Sequence, residues 1–329
     1  MAPAINPRED GPRVFIHIGY HKTGSTFLQK IFLPRHPQLM LVDRREVQKF
    51  FLRVGSLSFD PVRVREWLGM RMQEAASLAR HVAISDEELS GNIHTGGSGG
   101  YLAKEIADRL YSVAPYAHIV IFIRNQFEMI ESCYRQYVKK GGTFGIKRYL
   151  FHDMPNHRFP QFSFEHFEYD KLIAYYIKFF GRDHMHVFPY EELRENRDAF
   201  LQRFFPELGL NPLENLEGWA EITANPSYSF ASVYLARLTN RFYGLDPINR
   251  RVVLHIPGLY KRCKRFYSAM DRTRWIRRLD GNFSFLDENI RHYIMDRYAP
   301  SNWELYRLLS LPLHSYGYPM PPGTKGFAR

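Results

Sequence analysis

Val14-Phe15-Ile16-His17-Ile18-Gly19-Tyr20-His21-Lys22-Thr23-Gly24-Ser25-Thr26-Phe27-Leu28 passes from an apolar, β-branched run through a turn into helix-compatible sequence. The first residues read as a strand, the Gly19–Gly24 stretch as a tight loop, and the residues from about Ser25 as a helix start. That order gathers backbone N–H groups and a helix N-terminus around one point, which is a cradle for an anion. Lys22 adds a cation, and Thr23, Ser25 and Thr26 add hydroxyls. The expected guest is a phosphate or a close relative. By itself the stretch also fits an ordinary glycine-containing β–α turn.

Spacing narrows the choice. In a Walker A loop, G-x-x-x-x-G-K-[ST], the lysine follows the second glycine. Here Lys22 precedes Gly24, which fits a nucleoside-triphosphatase loop poorly. Tyr20 to Leu28 instead resembles the 5′-phosphosulfate loop of sulfotransferases that use 3′-phosphoadenylyl sulfate (PAPS), Y-P-K-[ST]-G-[ST]-T-[WF]-L. His21 stands where the cytosolic members often have proline. The resemblance implies that Lys22, Thr23, Gly24, Ser25 and Thr26 bind the donor.

A second segment completes that likeness. His118-Ile119-Val120-Ile121-Phe122-Ile123 reads as a buried strand, Arg124-Asn125 follows, and Phe127 to Tyr137 is helical in spacing. An arginine at a strand's carboxyl end suits a terminal phosphate, with Ser132 eight residues on. The stretch resembles the family's 3′-phosphate motif, R-[ND]-P-x-D-x-x-x-S-x-Y. Arg124, Ser132 and Tyr134 match, whereas Gln126 replaces the proline and Glu128 the aspartate. Singly, Arg124 reads as a salt-bridged strand end and Ser132 as a surface hydroxyl; two such motifs, each closing a strand, argue against coincidence. A later stretch, Val187 to Leu193, resembles the family's V-x-x-Y-E-x-L element.

Sulfuryl transfer needs a cation where charge grows on the leaving phosphate, and Lys22 suits that role. It also needs a base for the acceptor. Asp86, Glu87 and Glu88 follow the short strand His81–Ile84, where α/β sheets place ligand-facing residues. Glu87 is the favoured base over Glu88 and Asp86, with His21 and His94 as alternatives. An acid-rich helix start that merely complements its dipole accounts for the other carboxylates. The likeness implies no Mg²⁺, and no metal is expected: His184/His186 and His152/His157 lack the company that metal ligands keep.

The 329 residues are 45% hydrophobic and 24% charged, as in a globular protein with a sizeable core. No apolar run approaches the roughly 18 residues of a membrane span. Met1 to Arg13 has no apolar h-region and reads as no signal peptide. Two cysteines, Cys133 and Cys263, give no disulfide framework, so the expectation is the reduced cytoplasm, with a peripheral place at the inner membrane face as an option.

The net charge of +11 is uneven: Arg237 to Arg278 carries twelve Lys/Arg against Asp246 and Asp271. Aromatics interleave, among them Phe242, Tyr260, Phe266 and Trp275. A solvated basic face is the plain account. The functional ones are an acidic glycan acceptor or an anionic membrane surface met through residues 237–278. No nucleic-acid signature accompanies the charge.

The expected architecture is α/β, a parallel sheet wound by helices in the P-loop-like sulfotransferase manner, with a mostly helical C-terminal third. One domain is expected over 1–329, with a nucleotide-binding core at 13–210 and a basic acceptor-side region at 211–329. Helices are expected over 60–80, Tyr101–Tyr111, Tyr169–Phe180 and Arg197–Phe205, with Gly96–Gly100 as a flexible loop and candidate lid. The implied function is transfer of a sulfuryl group from PAPS to a hydroxyl or amine, on a glycan or glycolipid. The alternatives are a small-molecule kinase, which would prefer ATP with Mg²⁺, and a non-catalytic glycan- or membrane-binding protein.

Overall fold

A computed structural model describes residues 11–93, 100–151, 162–213, 227–243, 252–280 and 283–323. Five strands form one parallel sheet: β1 (Val14–His17), β2 (Leu39–Leu41), β3 (His81–Ser85), β4 (His118–Ile123) and β5 (Met185–Pro189), in the order β2-β3-β1-β4-β5. Helices cover both faces, so the strands read as near-continuous apolar runs. On one face Val14, Ile16, Ile84, Ile119 and Ile121 join the larger core with Leu68, Leu110 and Ile130. On the other, Phe15, Val120 and Phe122 meet an aromatic stack of Phe32, Phe200, Phe204 and Phe205.

The expected strands are present, with β1 ending at His17. The helix anticipated over 60–80 is Pro61–Ser77. Its Asp60 cap accepts from Val62 and Arg63 N–H, with proline at the first helical position. The others are Ala103–Val113, Gln126–Lys139, Tyr169–Phe180 and Arg197–Glu207. Two features carried no sequence signal. β2 is three residues long, and the helix opening at Ser25 widens to a π-turn over Leu28–Phe32 before Leu33–Arg35. Gly96–Gly99, His94, His152 and His157 lie outside the described residues.

The C-terminal third is helical as expected: Phe230–Thr239, Leu259–Met270, Arg274–Asp280 and Glu288–Leu309. None of the described helices is long and apolar enough to cross a membrane. This third is fastened to the turn after β4. Asn125 Nδ2 donates to the Tyr316 carbonyl (2.9 Å), and Gln126 and Asn302 exchange amide hydrogen bonds of 2.8 and 3.0 Å. The residue that replaces the motif's proline therefore has structural work: Gln126 is fully buried and joins the long C-terminal helix to the sheet.

Gln126→Pro tests that role. Gln126 is the first helical residue and Asn125 before it has ψ 125°, so the backbone accepts proline there. The change removes the amide pair and leaves Asn302 short of a partner, at a cost of about 1–3 kcal/mol. The expected result is a lower urea midpoint with unchanged helical content; an unchanged midpoint would contradict it.

Candidate active site

The site lies at the carboxyl end of the sheet, where β1 is flanked by β3 and β4 and the winding changes direction, the crevice that open α/β sheets use for ligands. The loop after β1 is held in an unusual shape. Gly24 has φ 84°, and a Cβ on it would lie 3.1 Å from Tyr190 and 3.3 Å from Leu193. Lys22 has φ 70°, a left-handed conformation that costs a non-glycine residue ~1–3 kcal/mol. The strained residue is a lysine, separated by Thr23 and Gly24 from the helix start at Ser25.

The three hydroxyls divide. Thr23 is fully buried and donates to the Tyr20 carbonyl (2.6 Å), and Ser25 approaches the same carbonyl at 3.5 Å, so both close the loop. Thr26 is exposed at the first turn. At the helix start the Phe27 and Leu28 N–H groups donate to the Gly24 carbonyl (2.9 and 3.2 Å), so the donors that a helix start leaves over are those of Ser25 and Thr26.

Arg124 links the two motifs. Its Nη1 donates to the Lys22 carbonyl (3.1 Å) and its Nη2 to Glu128 (2.8 Å), while the guanidinium lies 5.2 Å over the Tyr190 ring. Its Nε is buried with no partner among the described residues, a donor left for a bound group. Arg194 holds Glu128 from the other side at 2.5 Å. Ser132 is buried on the helix that follows. Burial pushes the Lys22 pKa down; nearby Cys133 opposes this, and Lys139 and Arg124 add to it. A half-buried cluster of cations is what a polyanion stabilises.

The carboxylates after β3 separate by environment. Asp86 is fully buried; it accepts from Arg44 Nε (2.8 Å) and Nη2 (3.0 Å), from Gln48 (3.1 Å) and from the Glu88 N–H, and so acts as a cap and anchor. Glu87 accepts from Gln29 (2.8 Å) and pairs with Arg44 (3.0 Å). Burial raises its pKa, but the Gln29 hydrogen bond and the Arg44 cation outweigh that and hold it below the usual glutamate range. Glu88 is raised, by burial first and by Asp86 next. His21 stands in the field of Glu87 and Lys140, and burial pushes it down to about 4.

Several contributors gave no sequence signal. Arg44 opens the short helix Arg44–Val47 after β2, and Gln29 lies in the π-turn. Glu191 accepts from the Asn125 N–H (2.9 Å) and the Tyr318 hydroxyl (3.0 Å), fixing the arginine turn from below. Only the V-x-x-Y-E-x-L likeness marked Tyr190 and Glu191. His184 and His186 sit away from this end and cluster with His118, whose Nδ1 lies 3.1 Å from His186 Nε2. Among the described residues no three His, Cys, Asp or Glu side chains are placed to hold a metal.

No family model matches the chain, and no curated protein matches it in sequence. Among solved structures it is similar to a sulfotransferase from Alicyclobacillus acidocaldarius, with 16% identity over 93% of this chain and 98% of that one, at a TM-score of 0.53. It is also similar to the sulfotransferase domain from the curacin biosynthetic pathway, with 15% identity over 94% and 99% of the two chains, at a TM-score of 0.39. A third is the sulfotransferase domain of the Synechococcus PCC 7002 olefin synthase, with 14% identity over 82% and 96%, at a TM-score of 0.38. The first likeness carries the argument, and what it shows is the fold.

The histidines around the loop, His17 buried and His21 and His166 half-buried, make stability depend on pH. Burial lowers His17 from 6.5 to about 4, His21 likewise, and His166 to about 3. Between pH 6.5 and 4 the unfolded chain takes up protons that the native chain does not, so stability falls as pH falls through that window. Each such histidine contributes about 1.4 kcal/mol per pH unit. Urea titrations should therefore give a midpoint that drops steadily from pH 7 to pH 5. A flat profile would show that these rings are not buried neutral.

Proposed function

We propose that this chain, which has the sulfotransferase fold, moves a sulfuryl group from PAPS to a hydroxyl or amine of an acceptor, with a glycan or glycolipid as the acceptor class. The observation that carries the reading is the Arg124–Lys22 junction, a strained lysine loop tied to a strand-end arginine that keeps one buried donor open. The two ends of a nucleotide with phosphate on both its 5′ and 3′ sides need such a pair of cationic sites. The basic, aromatic-bearing stretch 237–278 supports an anionic or sugar acceptor over a flat phenol.

In this mechanism the loop at Lys22–Thr26 holds the 5′-phosphosulfate, and Arg124 and Ser132 hold the 3′-phosphate. The acceptor oxygen forms a bond to sulfur as the bond from sulfur to the bridging phosphate oxygen breaks. The electron pair of that bond stays on the leaving phosphate, where Lys22 meets the growing charge. Glu87 takes the acceptor's proton. Arg44 and Gln29 keep Glu87 ionised at neutral pH and aim its free lone pairs, so it is ready as a base without prior deprotonation.

Transfer of labelled sulfate from PAPS onto a panel of glycans and glycolipids tests the reading, and transfer from ATP with Mg²⁺ in its place would replace it by a kinase. In calorimetry, 3′-phosphoadenosine 5′-phosphate should bind far better than 5′-AMP, and Arg124→Ala should weaken it by about ten- to hundredfold. Equal affinity for the two nucleotides would sink the donor assignment.

Lys22→Ala should cut kcat strongly while the product nucleotide still binds measurably. Near-normal turnover would remove Lys22 from the chemistry.

For the base, Glu87→Gln should lower kcat by about 10²–10⁴ with donor binding nearly unchanged, and Glu88→Gln much less. The pH profile separates the two. If Glu87 is the base, kcat/KM holds on acidification until below the usual glutamate range, where a depressed carboxylate first protonates. An acid limb above that range would assign the proton to Glu88, whose pKa is raised.

A further inference from the structure

The described part of the basic region is also apolar on its outside. Leu235, Leu238 and Phe242 fall at i, i+3 and i+7 along the helix Phe230–Thr239 and the turn after it, and all three are exposed. The chain returns beside them: the Val253 N–H donates to the Arg241 carbonyl (2.8 Å) and the Ile256 N–H to the Phe242 carbonyl (2.9 Å). This extends the row with Val253 (78% exposed), Leu254 (61%) and Ile256. Exposed aliphatic side chains in this density mark a surface that meets something.

The charges show what it meets. The carboxylates of 227–243 and 252–280 are Asp271 and Asp280, and both are engaged inside. Asp271 accepts from the Ser229 N–H (3.1 Å) and the Ser232 hydroxyl (2.7 Å), and Asp280 from the Phe230 N–H (2.6 Å) and Arg135 (3.0 Å). Arg241, Lys261, Arg262, Lys264 and Arg265 are left exposed around the apolar row. Helix Leu259–Met270 is joined to Phe230–Thr239 where the Thr239 and Tyr267 hydroxyls meet at 2.7 Å, so the two features share one region. Beneath the row opens a cleft of about 560 Å³, lined by Arg148, Arg237, Arg241 and Val253. Its Arg237 keeps a buried Nε with no partner among the described residues.

We propose that this face docks on a lipid bilayer with anionic headgroups: the aliphatic row enters the headgroup boundary, the surrounding Lys and Arg meet lipid phosphates, and the arginine cleft takes one headgroup. A second copy of the chain fits worse, since a self-facing arrangement opposes like charges across the row. Nucleic acid fits worse too, because Leu, Val and Ile offer its bases no stacking platform. The inference stands apart from the proposed reaction and does not need it.

Sedimentation of the full chain with vesicles tests it. Vesicles of phosphatidylserine in phosphatidylcholine should carry the protein down, pure phosphatidylcholine vesicles should not, and added salt should weaken the binding. Lys261→Gln with Arg265→Gln should weaken partition by about thirtyfold, and Val253→Ser with Leu254→Ser by at least about tenfold. All four positions are exposed, so thermal midpoints should not move. Four results would each overturn the proposal: equal binding to both vesicle types, wild-type partition by both variants, a dimer without vesicles that the Val253/Leu254 variant dissociates, or tighter binding to duplex DNA than to vesicles.

Discussion

The hydrogen bond from Arg124 to the Lys22 carbonyl is the contact on which the arrangement of the site depends. It joins the loop after β1 to the turn after β4 across 102 positions of sequence, and it orients the guanidinium at the carbonyl of the one strained non-glycine residue of that loop. The rest of the crevice is built to keep that arginine in place. Glu128 fixes one end of its fork, Tyr190 lies under its plane, and Tyr169 donates to its own carbonyl at 2.7 Å. Glu191 then holds the Asn125 N–H, so the turn cannot rotate without breaking a buried carboxylate contact.

Charge is distributed along the crevice with a clear sense. The donor side collects the cations Lys22, in its strained loop, and Arg124, whose Nη2 pairs with Glu128. The β3 side collects carboxylates, each in a different state: Asp86 locked as an anchor, Glu87 held ionised, Glu88 pushed toward the neutral form. A reaction in which negative charge leaves on one side and a proton leaves on the other suits that polarity. The basic segment continues the positive side outward, since Lys264 lies within the electrostatic reach of Lys139, which in turn acts on Lys22.

Strands β1, β3 and β4, the major helices of the core and the turns after β1 and β4 were legible in the sequence. Both faces of the sheet are covered, so each of those strands is an apolar run between polar turns, and the turns after β1 and β4 carry the Gly, Lys and Arg that give them a cationic character. β2 was not legible, because three residues make no period. The π-turn over Leu28–Phe32 was not either, since its extra residue is accommodated by packing on Phe204 and Phe205 and leaves no mark in composition. Gln126 read as a departure from a motif; its reason is Asn302, 176 positions away.

The site divides in the same way. Sequence alone determined that a lysine loop and a strand-end arginine exist, because local spacing sets the turns and the residue types set the chemistry. It also located three adjacent carboxylates at a strand end, but adjacency cannot rank them. Only the tertiary structure separates Asp86, Glu87 and Glu88, through Arg44, Gln29 and Gln48, which come from elements far off in sequence. It alone decided that, among the described residues of the basic region, Asp271 and Asp280 are engaged by Ser229, Ser232 and Phe230 while Leu235, Leu238, Val253 and Leu254 stand exposed. Whether a side chain is buried, paired or open depends on what the rest of the chain brings against it, and that is settled by packing and not by neighbours in sequence.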